Sequence, residues 1–429
     1  MNAGHRPFTV QLPPAVRGGV IVAYSGGLDS TVLLHALAST MDGNLRAAHV
    51  HHGLQPQAEE WASHCAAFAA RLSVPFELLR VRIDPDDPAG PEAAARRARY
   101  AALRGLLRPG DALAVAHQRA DQAETALLRL LRGSGIAGLA AMRPLAEFPP
   151  GWLWRPLLDV PRDALRAYAQ RHRLPWIEDP HNRDARYARS WLRAEVFPVL
   201  RARFPSAEDS LARCARLAAE AEDLLAALAR LDLPAVERGG ALSVSALLAL
   251  DAARRHNLLR HWLRARGFEP PSLEAMERID REVLAAATDA EPLLHWDGCE
   301  LRRHRDALYA MPPLPPPPDP ALSLAWTEAE LELPEGCGRL RLRARPKRML
   351  TVRFARGGER FKPRLGGHHR RLRNLFQEHG VPPWVRLRTP LVECAGRLVY
   401  VAGLGPAEDW AALADAAPEW IDPPPGACR

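Results

Sequence analysis

The residues of this chain that are best suited to chemistry lie near its start, between an apolar run and a helical run. They are Ser25, Gly26, Gly27, Leu28, Asp29 and Ser30. The paired glycines let the backbone turn tightly and come close to a ligand. Backbone N–H groups at the start of the following helix, together with the serine hydroxyls, form a cradle for an anion. The segment therefore predicts a phosphate-binding loop.

This loop is not a Walker A loop, because no Gly-Lys-Ser/Thr sequence follows it. It also contains an acidic residue, Asp29, whose charge would repel a phosphate unless a cation lay between them. Because carboxylate and phosphate oxygens are the ligands that Mg²⁺ prefers, we expect Asp29 to bind Mg²⁺. A structural turn without a ligand is the alternative.

A second group of polar residues consists of His117, Asp121 and Glu124, at positions i, i+4 and i+7. A helix that carries all three presents them along one stripe. Two carboxylates and an imidazole at the carboxyl end of a strand suit metal binding and proton transfer. We expect Asp121 to be a further Mg²⁺ ligand, and His117 or Glu124 to act as a base. The alternative is an exposed helix face whose acidic residues are favoured by the helix dipole.

The elements that position these residues alternate regularly. Apolar runs typical of strands occupy residues 20–24, 45–50, 76–83 and 112–116, and helical runs occupy residues 31–38, 59–72, 92–107 and 121–131. This alternation predicts an α/β fold with a parallel, doubly wound sheet. Such sheets bind ligands at the carboxyl ends of their strands, where both groups of residues fall.

The rest of the chain differs in character. Helical spacing recurs in residues 206–231, 243–266 and 272–287, and a proline-rich stretch follows that is typical of a stiff polyproline II linker. We predict four parts: an α/β domain over residues 1–204, an α-helical domain over 205–311, a Pro-rich linker over 312–322 and a small α+β domain over 323–429.

Positive charge is concentrated in the last part. Residues 339–345 alternate arginine with apolar residues, which places four arginines on one strand face. More basic residues follow, among them Arg360, Arg370, Arg371 and Arg373. Such a surface suits phosphate contacts with a nucleic acid, and a solvated strand face is the alternative.

The composition excludes several classes of protein. The net charge of +8 comes from arginine, since the chain has only two lysines, and it is weak support for a polyanionic partner by itself. The six cysteines lie far apart without a C-x-x-C pair, which argues against a zinc or iron–sulfur site and for a reducing compartment. The sequence has no signal peptide and no apolar run long enough for a membrane span. We expect a cytoplasmic protein.

Specific motifs add a resemblance to known families. The loop at residues 25–30 resembles the PP-loop of the ATP pyrophosphatase superfamily, which cleaves ATP between its α and β phosphates. Further segments resemble the tRNA(Ile)-lysidine synthetase family in the family order. They are AHVHHGL at 48–54, EAAARRARY at 92–100, DQAET at 121–125, RGSGIAGL at 132–139, WIED at 176–179 with Asn182, GERF at 358–361 and LFQEHGVPPW at 375–384. The resemblance covers nearly the whole chain and is weakest in the middle helices and the linker.

The resemblance implies a function and partners. It implies an adenine nucleotide alpha hydrolase-like first domain, with ATP as substrate and Mg²⁺ as cofactor. The family activates the wobble cytidine of CAU-anticodon tRNA(Ile) with ATP and releases pyrophosphate. It then joins free L-lysine to the adenylated base and releases AMP, so that the tRNA reads AUA and is charged with isoleucine. The helical and C-terminal domains are expected to bind tRNA; no protein partner is predicted, and a homodimer stays an alternative to a monomer.

The resemblance also assigns roles to residues. The family's catalytic positions fall on Asp29, His117, Asp121 and Glu124. Substrate or tRNA contacts fall on Arg96, Arg99, Tyr100, Asn182, Arg189, Arg193, Arg360, Arg370, Arg371 and Arg373, with salt bridges as the alternative for the residues on the 92–107 helix. The sequence departs from the family pattern at Gln118, Ala120, Ser190 and Arg373, where His, Asp, Asn and Lys are usual. These departures affect the hydrogen bonds around the site and the contacts with RNA.

Three other functions are compatible with this kind of loop. A tRNA thiolase would need paired or persulfide-bearing cysteines, which the sequence lacks. A small-molecule ligase such as GMP or NAD synthetase would not need the basic C-terminal domain. A tRNA-binding protein with a decayed ATP site conflicts with the intact loop and with the presence of Asp121 and Glu124. Pyrophosphate release that depends on tRNA and lysine separates the four functions.

Overall fold

The computed structural model describes residues 10–41, 43–53, 56–83, 87–88, 90–178, 188–287, 290–342, 345–346, 348–363, 368–407 and 418–427. The chain forms two compact units, Met1–Leu224 and Leu225–Arg429. The boundary between them falls inside one 30-residue helix, Ala207–Val236. The four-part division made from the sequence stays a prediction.

The first unit is built on a six-stranded sheet. Its strands are β1 (Val20–Ala23), β2 (Leu45–His51), β3 (Phe76–Arg80), β4 (Ala112–Ala114), β5 (Leu145–Phe148) and β6 (Gly151–Trp154). The order is β3-β2-β1-β4-β6-β5, and every neighbouring pair is parallel except β5 and β6. The predicted α/β class with a parallel sheet is confirmed. The antiparallel hairpin β5–β6 is an addition that the sequence analysis did not include.

The helices of the first unit follow the strands. They are α1 (Leu28–Ala38), α2 (Ala58–Arg71), α3 (Pro91–Arg104), α4 (Arg119–Leu131), α5 (Ile136–Leu139), α6 (Arg162–Arg171), α7 (Ala188–Trp191) and α8 (Phe197–Arg203), with a π-helical turn over Leu192–Val196. Helix α4 begins after His117, so the expectation that one helix carries His117, Asp121 and Glu124 is wrong for the histidine. The cause is local: Gln118 is the N-cap of α4 and starts the helix after His117.

Strand β1 is covered on both faces, as expected for a central parallel strand. Val20, Ile21 and Val22 are fully buried. Val20 and Val22 belong to one hydrophobic core with Leu33 of α1, whereas Ile21 belongs to a second core with Leu103 of α3. Alternate side chains of a strand point to opposite faces of its sheet. The apolar run therefore holds both layers of helices on the sheet.

The strand order places the loops that carry the predicted site. Strand β1 lies between β2 and β4, parallel to both. The chain leaves β1 toward β2 and later returns to β4 on the other side of β1. At such a switch point the loops diverge and leave a crevice at the carboxyl ends of the strands. The glycine loop and the His117 segment both follow strands at this edge.

The second unit begins with helices and an antiparallel sheet. Its helices are α9 (Ala207–Val236), shared with the first unit, α10 (Val244–Ala249), α11 (Ala252–Ala265) and α12 (Leu273–Arg278), followed by a π-helical turn over Ile279–Leu284. Its strands are β7 (Glu237–Arg238), β8 (Ala241–Ser243), β9 (Leu293–Trp296), β10 (Cys299–His304) and β11 (Ala307–Met311), in the order β7-β8-β11-β10-β9. The predicted helical region is present, and the sheet is an addition to it.

A buried arginine explains why the sequence analysis did not predict this sheet. Along β10 the buried positions alternate, and Arg303 occupies one of them. Its guanidinium donates to the carbonyls of Val283, Leu284 and Ala286, at 3.2, 2.7 and 2.9 Å. These bonds satisfy a helix end that would otherwise leave carbonyl groups unpaired. Because an arginine stands where an apolar residue is usual, the period-two pattern of β10 is not visible in the sequence.

The remainder of the second unit is small and rich in strands. Its strands are β12 (Ser323–Trp326), β13 (Glu330–Glu332), β14 (Arg339–Arg341), β15 (Leu350–Arg353), β16 (Arg360–Phe361), β17 (Arg370–Arg371), β18 (Leu391–Cys394), β19 (Arg397–Val401), β20 (Gly405–Pro406) and β21 (Glu419–Ile421). The sheets have the orders β12-β15-β18-β19-β20, β13-β14-β21 and β16-β17, and the helices are α13 (Leu372–Glu378) and α14 (Pro383–Arg386). This matches the predicted α+β class.

The proline-rich segment contacts this part of the chain. Arg388 donates to the carbonyl of Pro315 and, at 2.9 Å, to that of Trp384. Leu314 packs against the core that contains Trp384. The segment is therefore held on a core and is not a free spacer.

Two further observations concern the whole described chain. Helices long and apolar enough to cross a membrane are absent from the described ranges. The five cysteines in those ranges, Cys65, Cys214, Cys299, Cys337 and Cys394, carry free thiols.

Candidate active site

The glycine loop joins β1 to α1, and its two glycines have different roles. Gly26 has a φ of +83°, and a Cβ atom there would lie 2.6 Å from Cδ1 of Ile177 and 2.9 Å from Sγ of Cys65. Gly27 has a φ of −71° and is the N-cap of α1. The first glycine is therefore required by conformation and by space, whereas the second leaves open the surface over the start of the helix.

Hydrogen bonds within the loop hold it in shape. The Oγ atoms of Ser25 and Ser30 lie 3.0 Å apart, and the Ser30 hydroxyl also donates to the Gly27 carbonyl at 3.0 Å. The Thr31 hydroxyl donates to the Gly26 carbonyl at 3.2 Å. No side chain caps the N-terminus of α1. The first N–H groups of α1 therefore donate to no capping side chain. N–H groups in this position at the start of a helix can bind phosphate oxygens.

The loop opens into a cavity of about 1280 Å³. This volume exceeds the roughly 300–1000 Å³ of most small-molecule sites, so the cavity has room for more than one substrate. It lies within the first unit. The polar residues of its wall include Ser25, Asp29, Ser30, His49, His51, His52, Arg99, Tyr100, His117, Gln118, Asp121, Glu124, Arg162, Ser190 and Arg193.

Asp29 has the electrostatic character expected of a cation ligand. Its Oδ1 atom is buried and has no hydrogen-bond partner among the described residues. Burial, followed by the charge of Asp121, raises the pKa of Asp29 to about 6. A buried carboxylate oxygen without a partner is unfavourable unless a cation or a donor meets it.

The start of α4 uses Gln118 and Asp121 as a reciprocal cap. The Gln118 side chain accepts from the Ala120 N–H at 2.8 Å, and Oδ2 of Asp121 accepts from the Gln118 N–H at 3.0 Å. Gln118 stands where the resembled family usually has His, and it serves here as the N-cap. Ala120 and Ser190, two other departures, line the cavity.

Arg193 joins the two carboxylates of the stripe. Its Nη2 atom donates to Oδ1 of Asp121 at 2.6 Å and to Oε2 of Glu124 at 2.9 Å, and its Nε atom donates to Oε1 of Glu124. Arg193 lies on the π-helical turn, a kind of distortion common at functional sites. The resemblance assigned Arg193 to substrate binding, and in the structure its guanidinium contacts Asp121 and Glu124.

These contacts limit where a metal ion fits. Hydrogen bonds from Arg193 and from the Gln118 N–H engage both oxygens of Asp121. Within the described ranges, no cluster of three or more His, Cys, Asp or Glu side chains is placed to hold a metal. Among the carboxylates that the structure describes, only Asp29 has a buried oxygen without a hydrogen-bond partner. Since Mg²⁺ is often bound by one or two carboxylates together with substrate phosphates, Asp29 fits that role, whereas Asp121 fits it only after Arg193 moves.

His117 is partly buried at the wall of the cavity. Burial lowers the pKa of His117 to about 4 although Asp121 acts in the opposite direction, and Arg155, Arg96 and Arg189 add to the lowering. Its Nδ1 atom has no hydrogen-bond partner among the described residues. The imidazole is therefore neutral near pH 7. The pKa of Glu124 is raised, mainly by burial, and the ion pair with Arg193 opposes this effect.

The arginines and the tyrosine of α3 form one group. The guanidinium carbons of Arg96 and Arg99 lie 5.0 and 5.6 Å from the ring centre of Tyr100. Arg99 and Tyr100 line the cavity. Arg189 of α7 donates to the Thr125 hydroxyl at 3.0 Å, beside the acidic stripe. Together with Arg193, five of the residues expected to bind substrate thus lie near the stripe, and Asn182 lies outside the described residues.

The structure also brings in residues that the sequence analysis missed. Arg162, the first residue of α6, lines the cavity and favours the charged form of Asp29. Trp61 of α2 also lines the cavity. Neither residue belongs to a motif recognised from the sequence, so only their positions in the fold identify them.

The predicted basic residues of the second unit lie on different elements, the β16–β17 hairpin and helix α13. Arg360 and Arg371 are register partners in the β16–β17 hairpin. Arg370 forms an ion pair with Glu378, and Arg373 is exposed on α13. On β14 the expected alternation is present, since Leu340 is buried between two arginines.

The arginine face of β14 is partly neutralised. Nε of Arg341 lies 2.6 Å from Glu330, and Arg339 lies 3.9 Å from Glu330 and 3.6 Å from Asp422. Arg345 pairs with Glu328 at 2.6 Å, and Arg343 lies outside the described residues. For the described arginines, the structure favours the solvated strand face that the sequence analysis left as an alternative.

Comparison with protein families gives matches over three parts of the chain. The PP-loop domain family matches residues 6–200. The TilS substrate binding domain matches residues 242–309, and the TilS substrate C-terminal domain matches residues 350–421.

Curated relatives match over almost the whole length. The tRNA(Ile)-lysidine synthase of Alkalilimnicola ehrlichii is 45% identical over 421 residues, which are 95% of each chain. The protein of the same name from Xanthomonas campestris is 42% identical and covers 94% of this chain and 92% of its own. The one from Xylella fastidiosa is 44% identical over 90% of both chains.

Proposed function

Because this chain belongs to the tRNA(Ile)-lysidine synthase family, we propose that it joins lysine to the wobble cytidine of CAU-anticodon tRNA(Ile) at the expense of ATP. The observation that carries the proposal is the single cavity that combines the glycine loop with Asp29, His117, Asp121 and Glu124. A phosphate cradle beside buried acid and base groups suits nucleotide activation followed by proton transfer. The resulting tRNA would read AUA and be charged with isoleucine.

In the first step, the loop holds the phosphates of ATP. The N–H groups at the start of α1 and the hydroxyls of Ser25 and Ser30 supply donors to phosphate oxygens. The carbonyl oxygen of the cytidine attacks the α phosphorus, pyrophosphate leaves, and an adenylated base remains. Mg²⁺, held by Asp29 and the phosphates, would supply positive charge against the charge of the triphosphate.

In the second step, the lysine amine attacks the activated carbon of the base and AMP leaves. The amine must lose a proton. His117 is a weak base because its pKa is about 4, whereas burial raises the pKa of Glu124 above its usual value. We therefore assign Glu124 as the base, and Arg193 as the residue that positions it and must release one of its oxygens. The neutral His117 then serves as a hydrogen-bonding group near the amine.

The partners follow from this chemistry. The arginines of the second unit, including Arg360, Arg370, Arg371 and Arg373, are proposed to contact the tRNA backbone. Arg96, Arg99, Tyr100 and Arg189, near the stripe, are proposed to contact the reacting part of the substrate. A tRNA-modifying enzyme of this kind acts in the cytoplasm, and the proposal needs no membrane and no protein partner.

The test uses the full chain with an unmodified tRNA(Ile) transcript, ATP, Mg²⁺ and labelled lysine. We expect label in the tRNA, and one pyrophosphate and one AMP released for each lysine joined. Asp29→Asn should abolish both products, and a transcript with a non-CAU anticodon should not be labelled. Uptake of sulfur instead of lysine would favour a thiolase. Folded, ATP-binding protein that joins no lysine would contradict the proposal.

A further inference from the structure

Helix α6 begins beside the glycine loop. Asp29, near the start of α1, and Arg162, at the start of α6, both line the cavity. Further along the two helices, Nδ1 of His35 on α1 lies 2.9 Å from the Tyr168 hydroxyl on α6. His35 is six residues after Asp29, and Tyr168 is six residues after Arg162. Because the rise per residue is the same in both helices, this contact sets their first turns level with each other.

The charge of Arg162 reaches Asp29, although the two side chains form no ion pair. Burial raises the pKa of Asp29, and the charge of Arg162 opposes this effect more than that of Arg193 does. Among the described residues, none provides a carboxylate oxygen within 4.0 Å of the Arg162 guanidinium or a hydrogen bond to it. The Arg162 side chain is exposed in the cavity wall. Its guanidinium is therefore available to a ligand.

The arginines of the cavity wall fall into two groups. Arg99, Arg193 and Arg201 each contact another side chain. Arg166, one turn after Arg162, also lines the cavity, and both lack a side-chain partner among the described residues. Like charges one turn apart repel each other, and the amino end of a helix disfavours cations. An anion bound in the cavity would relieve both effects.

The glycine loop offers N–H groups and hydroxyls to a phosphate, but it has no cationic side chain. A Walker A loop contains a lysine that reaches the phosphates, whereas residues 25–30 contain neither lysine nor arginine. A guanidinium matches the paired oxygens of a phosphate group. Arginines on the neighbouring helix α6 can therefore supply the cation that the loop lacks.

The arginines that act most strongly differ between Asp29 and Glu124. Burial raises the pKa of both carboxyl groups, and arginines oppose the effect in each case. Arg162 is the arginine that acts most on Asp29, whereas Arg193 and Arg189 act on Glu124. The adenylated base of the proposed reaction must stay beside Glu124 for the second step. The α phosphate therefore lies toward Glu124, and the β and γ phosphates lie toward Arg162.

We propose that Arg162, assisted by Arg166, binds the β and γ phosphates of ATP and stabilises the pyrophosphate as it leaves. This inference rests on the proposed function, which supplies the substrate, and it adds two residues to that function. As the cytidine oxygen bonds to the α phosphorus, the bond from that phosphorus to the bridging oxygen of the β phosphate breaks. The electron pair of the broken bond stays on the pyrophosphate, so negative charge grows there and Arg162 meets it. Cationic groups placed where charge develops accelerate such a step.

The experiment titrates ATP and AMP, each with Mg²⁺, into the full chain without tRNA or lysine and measures both Kd values by calorimetry. We expect Arg162→Gln to raise the Kd for ATP roughly 10–100-fold, because a charge-assisted hydrogen bond is lost. The Kd for AMP should stay within about 2-fold. Arg162→Lys keeps the charge and should recover part of the loss. With tRNA and lysine added, Arg162→Gln should also lower the kcat of pyrophosphate release roughly 10-fold or more.

Arg171→Gln is the matched control, since Arg171 is exposed in the last turn of the same helix. Both of its Kd values should equal those of the unchanged chain. Equal Kd values for ATP in Arg162→Gln and Arg171→Gln would overturn the proposal, including when thermal stability falls. Loss of ATP and AMP affinity by the same factor would also overturn it, because the side chain would then act on the nucleoside part or on the fold.

Two further results keep the test decisive. If Arg162→Gln does not fold, Arg162→Lys and Arg166→Gln replace it: weaker binding of ATP with unchanged binding of AMP supports the proposal, and unchanged binding of both overturns it. The titrations contain no tRNA and no lysine. Selective loss of ATP binding in Arg162→Gln, in a chain that joins no lysine to tRNA, would therefore support the phosphate contact and contradict the proposed function alone.

Discussion

Arg193 holds Glu124 through two parallel hydrogen bonds, from Nε to Oε1 and from Nη2 to Oε2, the second at 2.9 Å. The Glu124 side chain is only 2% exposed, and that of Arg193 is 38% exposed. A buried carboxylate without a counter-ion is strongly unfavourable, so this pair keeps Glu124 charged within the wall of the cavity.

The first prediction concerns this pair. Removal of one partner from a fully buried ion pair costs about 3–5 kcal/mol, and the partial exposure of Arg193 reduces the effect. We therefore expect Arg193→Gln to lower the free energy of unfolding of the first unit by about 1–3 kcal/mol at neutral pH. Urea denaturation measures it. Arg278→Gln removes an exposed ion pair and should lower the free energy of unfolding much less; equal losses for both variants would contradict the role of burial.

The second prediction concerns the glycine loop. Gly26→Ala places a Cβ at a φ of +83° and 2.6 Å from Cδ1 of Ile177, so we expect a loss of about 1–3 kcal/mol in stability together with loss of ATP binding. Thermal denaturation with and without ATP measures both effects. Ile177→Val in the same chain should restore part of the stability, because it removes the Cδ1 atom.

Gly27→Ala is the matched control for this loop. The nearest atoms to a Cβ at Gly27 are 3.6 and 3.9 Å away, and its φ of −71° suits any residue. We expect its stability in the absence of ATP to lie within about 0.5 kcal/mol of the unchanged chain. A loss equal to that of Gly26→Ala would show that the shape of the loop does not depend on the positive φ.

The third prediction concerns pH. The pKa of Asp29 is raised from about 3.8 to about 6, so the folded chain binds more protons than the unfolded chain between these values. Stability therefore falls as the pH rises through this window. Asp29→Asn lacks the effect, and above pH 6 it should be more stable than the unchanged chain by roughly 1–3 kcal/mol without ATP and Mg²⁺. The difference in stability between the two chains should vanish below about pH 4. Unfolding is measured across this pH range, and a difference that did not change with pH would contradict the raised pKa of Asp29.

The fourth prediction separates the two chemical steps. If Glu124 takes the proton from lysine, Glu124→Gln should slow lysine transfer by roughly 100-fold or more and leave tRNA-dependent pyrophosphate release nearly intact. His117→Asn should slow the transfer much less, because the neutral imidazole is a weak base. Single-turnover measurements of pyrophosphate and AMP release distinguish the steps. A larger effect of His117→Asn would reverse the assignment.

Local patterns in the sequence were sufficient for much of the fold and part of the site. The alternation of apolar runs and helical runs predicted the parallel sheet, because each period depends only on neighbouring residues. The glycine loop was recognised for the same reason: Gly26 and Gly27 act within six residues of each other and of Asp29. Asp121 and Glu124 lie on one helix, and their common side follows from their spacing.

Local patterns failed where a distant contact replaced the usual residue type. Arg303 occupies a buried position of β10 because carbonyl groups 17 to 20 residues away accept its N–H groups. His117 precedes α4 because the Gln118 side chain caps the helix, and the spacing alone does not fix where a helix begins.

The sequence by itself determined that a glycine loop and a pair of carboxylates are present and that both follow strands of one sheet. Only the tertiary structure decided that Arg193, 69 residues beyond Glu124, pairs with those carboxylates. It also decided that, among the described carboxylates, Asp29 keeps a buried oxygen without a hydrogen-bond partner. The physical reason is that charge compensation depends on distance in space, and the sequence separation of two residues does not specify that distance.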